Sequence, residues 1–99
     1  MMTTPTIHLN GTSRDRLEAA YDAAYRALTD ALIALAATAP NARDYYVQGP
    51  GAYERAADQH DARCRAVAAV RTDMLQLHDS CSPGAQQLQA ARRDEEAQR

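Results

Sequence analysis

Histidine and cysteine recur at two places in the C-terminal half of the chain, at spacings that suit metal binding. His60 and Cys64 are four residues apart, and His78 and Cys81 are three residues apart. Either spacing places both side chains on one face of a helix, as a zinc site requires. The two pairs would nevertheless lie about 26 Å apart along a continuous helix that rises 1.5 Å per residue. One chain cannot bring these four ligands together, so we expect no metal and no other cofactor.

The same residues make a poor set for catalysis. Cys64 with His60 supplies a thiol and a base, but a rigid helix without a glycine-rich turn offers no oxyanion donor. Cys64 and Cys81 both fall on an apolar stripe, where free cysteine commonly packs as a small hydrophobic residue. Carboxylate pairs such as Asp58 and Asp61 stand among arginines and are most simply solvated charge. The sequence therefore predicts a protein that is not an enzyme.

A fifteen-residue break at 40–54 is chemically unlike the alanine-rich runs on either side. Connections of this length inside a small domain are usually functional or disordered, and this one is too aromatic for plain disorder. It combines arginine with tyrosine, the residue types that dominate the binding energy of protein interfaces. We predict a partner-binding loop formed by Arg43, Asp44, Tyr45, Tyr46, Gln48 and Tyr53.

Two other interpretations of this loop remain open. In the first, one tyrosine closes the end of the helical pair while Arg43 and Asp44 pair locally. In the second, a tyrosine stacks on the base of a nucleotide and Arg43 or Arg55 binds its phosphate. No glycine-rich phosphate cradle accompanies the second interpretation.

Composition and periodicity indicate the elements that hold this loop. The chain has 22 alanines, no phenylalanine and no tryptophan, which favours an all-α fold. Ser13 can cap a first helix over 13–39, whose apolar residues recur every three or four positions. Pro40 ends that helix, and after a loop at 40–49 Gly49 and Pro50 can open a second helix over 50–80. Two such helices predict an antiparallel hairpin over 13–81.

The ends of the chain are less regular. Residues 1–12 form a short N-terminal arm, and residues 82–99 form a polar tail or a short helix. A single hairpin buries only one face of each helix, and domains of this size seldom reach high stability without reinforcement. We therefore expect a homo-oligomer in which hairpins associate into a helical bundle and cover a secondary stripe of Tyr25, Leu32 and Ile33. The predicted contact region consists of Leu28, Leu32, Ile33, Val67 and Met74.

Charge and hydropathy limit the partners. All 11 basic residues are arginines, and the formal net charge is −2 with no basic block, so nucleic-acid binding is not expected. The N-terminus has no signal-peptide pattern, and the longest apolar run, 31–37, is too short to span a bilayer. The sequence predicts a cytoplasmic protein that does not bind membranes.

Three segments carry a resemblance to a known group of proteins. IHLNGTS at 7–13, NARDYYVQGP at 41–50 and ADQHDAR at 57–63 resemble a group of small helical proteins encoded by phages and prophages of high-GC bacteria. The resemblance spans about the first eighty residues. It implies the cytoplasm of a bacterial host, a host or phage protein as partner, and a function such as inhibition of a host defence system. Phage helical-hairpin sponges that sequester cyclic nucleotide signals are similar in size and architecture, which makes nucleotide binding the alternative function.

Overall fold

The computed structural model describes residues 2–99, and every regular element in this range is helical. Three α-helices are present: α1 (Arg14–Ala36), α2 (Ala52–Ser80) and α3 (Pro83–Ala97). Two short 3-10 turns, Ala42–Asp44 and Tyr46–Gln48, lie in the loop between α1 and α2. No strand occurs among the described residues. The predicted all-α class is therefore confirmed.

Helix α1 begins at a side-chain cap and ends earlier than the sequence indicated. The Ser13 hydroxyl accepts a hydrogen bond from the backbone N–H of Arg16 at 3.3 Å, which satisfies one of the free donors of the first turn. At the other end, Ala37, Thr38 and Ala39 each bond to the carbonyl three residues back. The chain has tightened into 3-10 geometry there. The α-helix consequently ends at Ala36 instead of residue 39.

Helix α2 begins two residues later than predicted, because two glycines control the chain before it. Gly49 has φ 98° and ψ 178°, and Gly51 has φ 84° and ψ −9°. L-residues with a side chain rarely adopt either conformation. Gly51, and not Gly49, is the residue that precedes the helix, and Pro50 lies in the turn between them. The loop therefore extends to Gly51.

Helices α1 and α2 pack against each other and form most of the tertiary structure. Each carries a series of partly or fully buried residues spaced alternately by three and four, the spacing of a coiled-coil seam. On α1 the series is Arg14, Glu18, Tyr21, Tyr25, Leu28, Leu32 and Leu35. On α2 it is Ala57, His60, Cys64, Val67, Arg71, Met74, His78 and Cys81, the last residue following the helix. Several members are charged or polar, which weakens the seam as a hydrophobic core.

Two polar contacts join the helices. Near the start of α1, Arg14 Nε donates to the carbonyl oxygen of Cys81 at 2.7 Å. Farther along, Arg71 Nη1 lies 3.4 Å from Thr29 Oγ1, and the Arg71 guanidinium carbon lies 5.6 Å from the centre of the Tyr25 ring. A cation above an aromatic face is attracted by the ring quadrupole. Arg71 is thus a packing residue of the seam.

The molecule is a thin rod. Its extents are 64 × 32 × 19 Å and its radius of gyration is 20.2 Å, whereas a compact domain of about 100 residues has a radius of gyration near 13 Å. Among the described residues only Ala52 and Cys81 are buried, and of these two only Cys81 is buried completely. Most large apolar side chains consequently remain at least partly open to water.

The C-terminal segment forms a regular helix of fifteen residues, α3, where the sequence left a polar tail or a short helix. Ser82 caps it by accepting from the N–H of Ala85 at 3.2 Å, and Pro83 occupies its first turn. Residues 4–7 of the N-terminal arm lie along α3 and form hydrogen bonds with the side chains of Gln86 and Gln89. These bonds hold that part of the arm against the first turns of α3.

Candidate functional site

Backbone hydrogen bonds fix the loop between α1 and α2. The side-chain oxygen of Asn41 accepts a hydrogen bond from the backbone N–H of Arg43 at 3.0 Å. The backbone carbonyl of Asn41 accepts one from the N–H of Asp44 at 2.9 Å. The second 3-10 turn follows directly, with a bond of 3.0 Å from Gln48 N–H to the Tyr45 carbonyl. The loop is therefore a folded pair of turns that presents its side chains in defined directions.

The folded loop leaves two large apolar side chains in solvent. Tyr46 is 74% exposed and the adjacent Val47 is 76% exposed. Tyr45, between the two turns, is only half-exposed. An exposed tyrosine beside an exposed valine on an ordered turn is a surface suited to contact with another protein.

Beside these residues lies a shallow cleft of about 410 Å³ that we call the aromatic notch. Three tyrosines and a proline form most of its wall. It is lined by Ala42, Tyr45, Tyr46, Gly49, Pro50, Gly51, Tyr53 and Glu54. The notch can accept an apolar or aromatic group of a partner.

A second cleft, the arginine groove, lies on the other side of Tyr45 and has a volume of about 360 Å³. It runs from the loop along the first three turns of α2. It is lined by Thr38, Pro40, Tyr45, Gln48, Ala52, Arg55, Ala56, Gln59, His60 and Arg63. None of these residues carries a carboxylate, so the groove is a place where positive charge and hydrogen-bond donors gather.

The cationic side chains of the groove are not engaged with acidic ones. The ion pairs among residues 2–99 are Arg26 with Asp22 and His78 with Asp79, and neither includes a groove residue. Arg55 and Arg63 are exposed, whereas His60 is half-buried with its Nε2 3.5 Å from Cys64 Sγ. Both guanidinium groups are therefore available to an external anion.

The six predicted contact residues do not form a single site in the structure. Tyr45, Tyr46 and Tyr53 come together around the aromatic notch. Gln48 joins Tyr45 in the arginine groove instead. Arg43 and Asp44 are exposed, line neither cleft and form no ion pair with each other. The local pairing of these two residues considered from the sequence is thus not seen.

Sequence reasoning missed part of this surface. Val47 was passed over, although it is as exposed as Tyr46. The groove residues Arg55, Gln59 and Arg63 were also missed as a set. Their spacing of four residues places them on one face of a helix directly after the loop, a signal that the sequence does contain.

The histidine and cysteine pairs are separated as expected for one long helix. In the described part of the chain, no three His, Cys, Asp or Glu residues are arranged to hold a metal ion. Both cysteines are free thiols. Burial raises the pKa of the Cys81 thiol, which makes it a weak nucleophile at neutral pH.

None of the three helices within residues 2–99 has the length and apolar character needed to cross a bilayer. Comparison of the chain with protein-family models, with curated proteins and with solved structures gives no match. The arguments about function therefore rest on the two clefts and the exposed loop residues.

Proposed function

We propose that this protein is a non-enzymatic interaction module that binds another protein through the loop between α1 and α2. The observation that carries this proposal is the exposure of Tyr46 and Val47 on an ordered turn next to the aromatic notch. Tyrosine supplies a large contact area at low entropic cost, since it has only two side-chain torsions. Tyr53 extends the patch from the first turn of α2.

The resemblance to phage and prophage proteins supplies the biological setting of the proposal. In that setting the partner is a host or phage protein in the bacterial cytoplasm, and the effect of binding is inhibition of a host system such as defence. Arg43 and Asp44 lie in the same loop and are proposed as the polar rim of the interface. Rim charges mainly influence association rate and specificity.

The helical framework is proposed to be an antiparallel hairpin that self-associates into a bundle. The bond from Arg14 to the Cys81 carbonyl and the contact of Arg71 with Thr29 support the antiparallel arrangement. Four residues of the predicted contact region lie in the seam between α1 and α2 instead, namely Leu28, Leu32, Val67 and Met74. Ile33 remains 68% exposed and Val70 is 46% exposed. A second copy of this chain would cover such residues and add the buried area that one hairpin lacks.

A truncation in the loop tests the interface. Bacterial lysate is passed over the immobilised protein, and the affinity of a captured partner is then measured for the wild type and for Tyr46→Ala. Loss of one exposed interface tyrosine should cost about 2 kcal/mol, or roughly thirtyfold in Kd, with an unchanged helical spectrum. Leu88→Ala removes an exposed apolar side chain from α3 and serves as the matched control.

Two outcomes would contradict the proposal. A partner that binds Tyr46→Ala as tightly as the wild type does not use the notch. If Tyr45→Ala and Tyr46→Ala instead unfold the protein, the loop serves to close the helical pair.

The alternative function, sequestration of a cyclic nucleotide signal, has one specific observation in its favour. Of the two arginines considered for the phosphate, Arg55 lines a cleft next to Tyr45 and Arg43 does not. A cyclic nucleotide that binds the folded state must raise Tm as its concentration rises. A thermal-shift series with cyclic nucleotides distinguishes this function from protein binding through Tyr46.

A further inference from the structure

We infer that the arginine groove is a binding site for a phosphate group and works independently of the aromatic notch. Two guanidinium groups and one imidazole line the groove, and no carboxylate does. Neither Arg55 nor Arg63 has an acidic partner among the described residues. A ligand anion therefore meets these arginines without first breaking an internal ion pair.

The number of charges favours phosphate over a carboxylate. A phosphate monoester carries about −1.5 to −2 charges at neutral pH and offers three acceptor oxygens. Arg55 and Arg63 together provide two permanent positive charges and ten N–H donors. A single carboxylate would neutralise only one of them. The groove is thus matched in charge to one phosphate group.

The spacing along α2 allows both arginines to serve one ligand. Arg55 and Arg63 are eight residues apart, or about 12 Å along the helix axis. Gln59 lies midway between them on the same face and also lines the groove. The Arg55 guanidinium lies against the start of α2, since a Cβ atom at Gly51 would be 2.9 Å from its Nη1. Arginine has a long flexible stem, so a rotamer change that swings Arg55 toward Gln59 lets both guanidinium groups bind one phosphate in the groove.

The opposite wall adds neutral polar groups from other elements. Thr38 comes from the turn that follows α1, while Tyr45 and Gln48 come from the loop. The Tyr45 hydroxyl and the Gln48 amide can donate to further phosphate oxygens or bind an attached organic group. The Thr38 hydroxyl already donates to the Leu35 carbonyl at 2.7 Å, so it can act there only as an acceptor. At about 360 Å³ the groove falls within the range of small-ligand sites and exceeds the needs of a bare phosphate ion. Both inorganic phosphate and an organic phosphate share the chemistry that the groove recognises.

Calorimetric titration at low ionic strength tests this site. Inorganic phosphate and adenosine monophosphate should each bind once per chain, and adenosine should not bind. Tighter binding of the nucleotide identifies an organic phosphate as the preferred source, whereas equal affinity identifies the free ion. Arg55→Gln and Arg63→Gln should each weaken phosphate binding by roughly 10- to 100-fold, since a hydrogen bond between charged groups is lost.

Two controls keep the result interpretable. Arg65→Gln removes an exposed arginine from the same helix but outside the groove, and it should bind phosphate like the wild type. Tyr46→Ala alters the notch and should also leave phosphate binding unchanged, so failure of the protein-interaction proposal is distinguishable from failure of this one. Circular dichroism confirms that each variant is folded. Undetectable binding of both phosphate and adenosine monophosphate, or an equal loss in Arg65→Gln, overturns the inference.

Discussion

Replacement of Gln86 by alanine should loosen the contact of the N-terminal arm with α3, which Gln89 then holds alone. The Gln86 side chain forms three hydrogen bonds with two other parts of the chain. Its Oε1 accepts from the Ile7 N–H at 2.9 Å, and its Nε2 donates to the carbonyls of Pro5 at 3.1 Å and Ser80 at 2.7 Å. One amide therefore joins the arm, the end of α2 and the first turns of α3.

The expected loss of stability follows from these bonds. A typical intramolecular hydrogen bond contributes about 0.5–1.5 kcal/mol net, so three bonds set an upper range of roughly 2–4 kcal/mol. All three are only partly buried, and water will replace part of what is lost. We therefore expect Gln86→Ala to lower the free energy of unfolding by about 2 kcal/mol. The neighbouring Gln87 is exposed, and Gln87→Ala should change the free energy of unfolding by less than about 0.5 kcal/mol.

Two measurements check this reasoning. Denaturant unfolding at one fixed protein concentration compares the two variants, since self-association would otherwise shift apparent stability. Hydrogen exchange at the Ile7 amide reports on the arm itself, and it should accelerate by up to about thirtyfold in Gln86→Ala. Equal unfolding free energies in both variants, together with unchanged Ile7 protection, would refute a stabilising role for the glutamine contacts.

Three further predictions concern backbone strain, a thiol and self-association. Gly51→Ala should lower the free energy of unfolding by about 1–2 kcal/mol, because φ is 84° at this position. Gly84→Ala places its new Cβ in open space within α3 and should raise the free energy of unfolding by up to about 1 kcal/mol. Denaturant unfolding measures both changes. Because burial raises the pKa of the Cys81 thiol above its ordinary value of 9.0, the stability contributed by the neutral form is fully present below that pH and is lost as pH rises through the folded-state pKa. Mass spectrometry should find Cys81 alkylated more slowly than Cys64. Ile33→Glu should reduce the mass measured by light scattering; an unchanged mass contradicts the bundle.

Local signals in the sequence were sufficient to predict that the α1 and α2 regions are helical. Ser13 is a strong capping residue, and the apolar periodicity that follows it has no competing interpretation. The end of α1 was harder to predict. A proline gives only the last position that a helix can reach, and α1 ends before that position. Two glycines near Pro50 likewise offered two possible starts for α2. Their φ and ψ values, which decide between them, are not visible in a sequence.

Helix α3 was underestimated for a different reason. Leu88 is its only large apolar residue, so it shows almost no hydrophobic periodicity. Its docking depends on hydrogen bonds from Gln86 and Gln89 to residues about eighty positions earlier in the chain. Polar contacts between such distant residues leave no repeat that a single sequence can reveal.

The candidate site was also predictable from the sequence only in part. Residue type led to the prediction of Tyr45, Tyr46 and Tyr53, because long loops are uncommon and tyrosine often dominates interface binding energy. The structure brings these three side chains to one cleft, and their role in binding stays a prediction. The arginine groove was missed because arginine at helical spacing resembles an ordinary solvated face. Only the fold of the loop, which places Tyr45 and Gln48 opposite Arg55 and Arg63, turns that face into a cleft.

The distribution of stabilising contacts along the rod accounts for where binding is proposed. The bond from Arg14 to the Cys81 carbonyl, the burial of Cys81 and the Gln86 bonds to the arm lie near the junction of α2 and α3. The loop lies at the other end of α2, and its side chains make few bonds within the protein. Arg55 and Arg63 have no acidic partner at this end of the molecule, so an anionic ligand can bind them without breaking an internal ion pair. Tyr45 lines both clefts, and we therefore propose the loop end of the molecule as the place where a partner or a ligand binds.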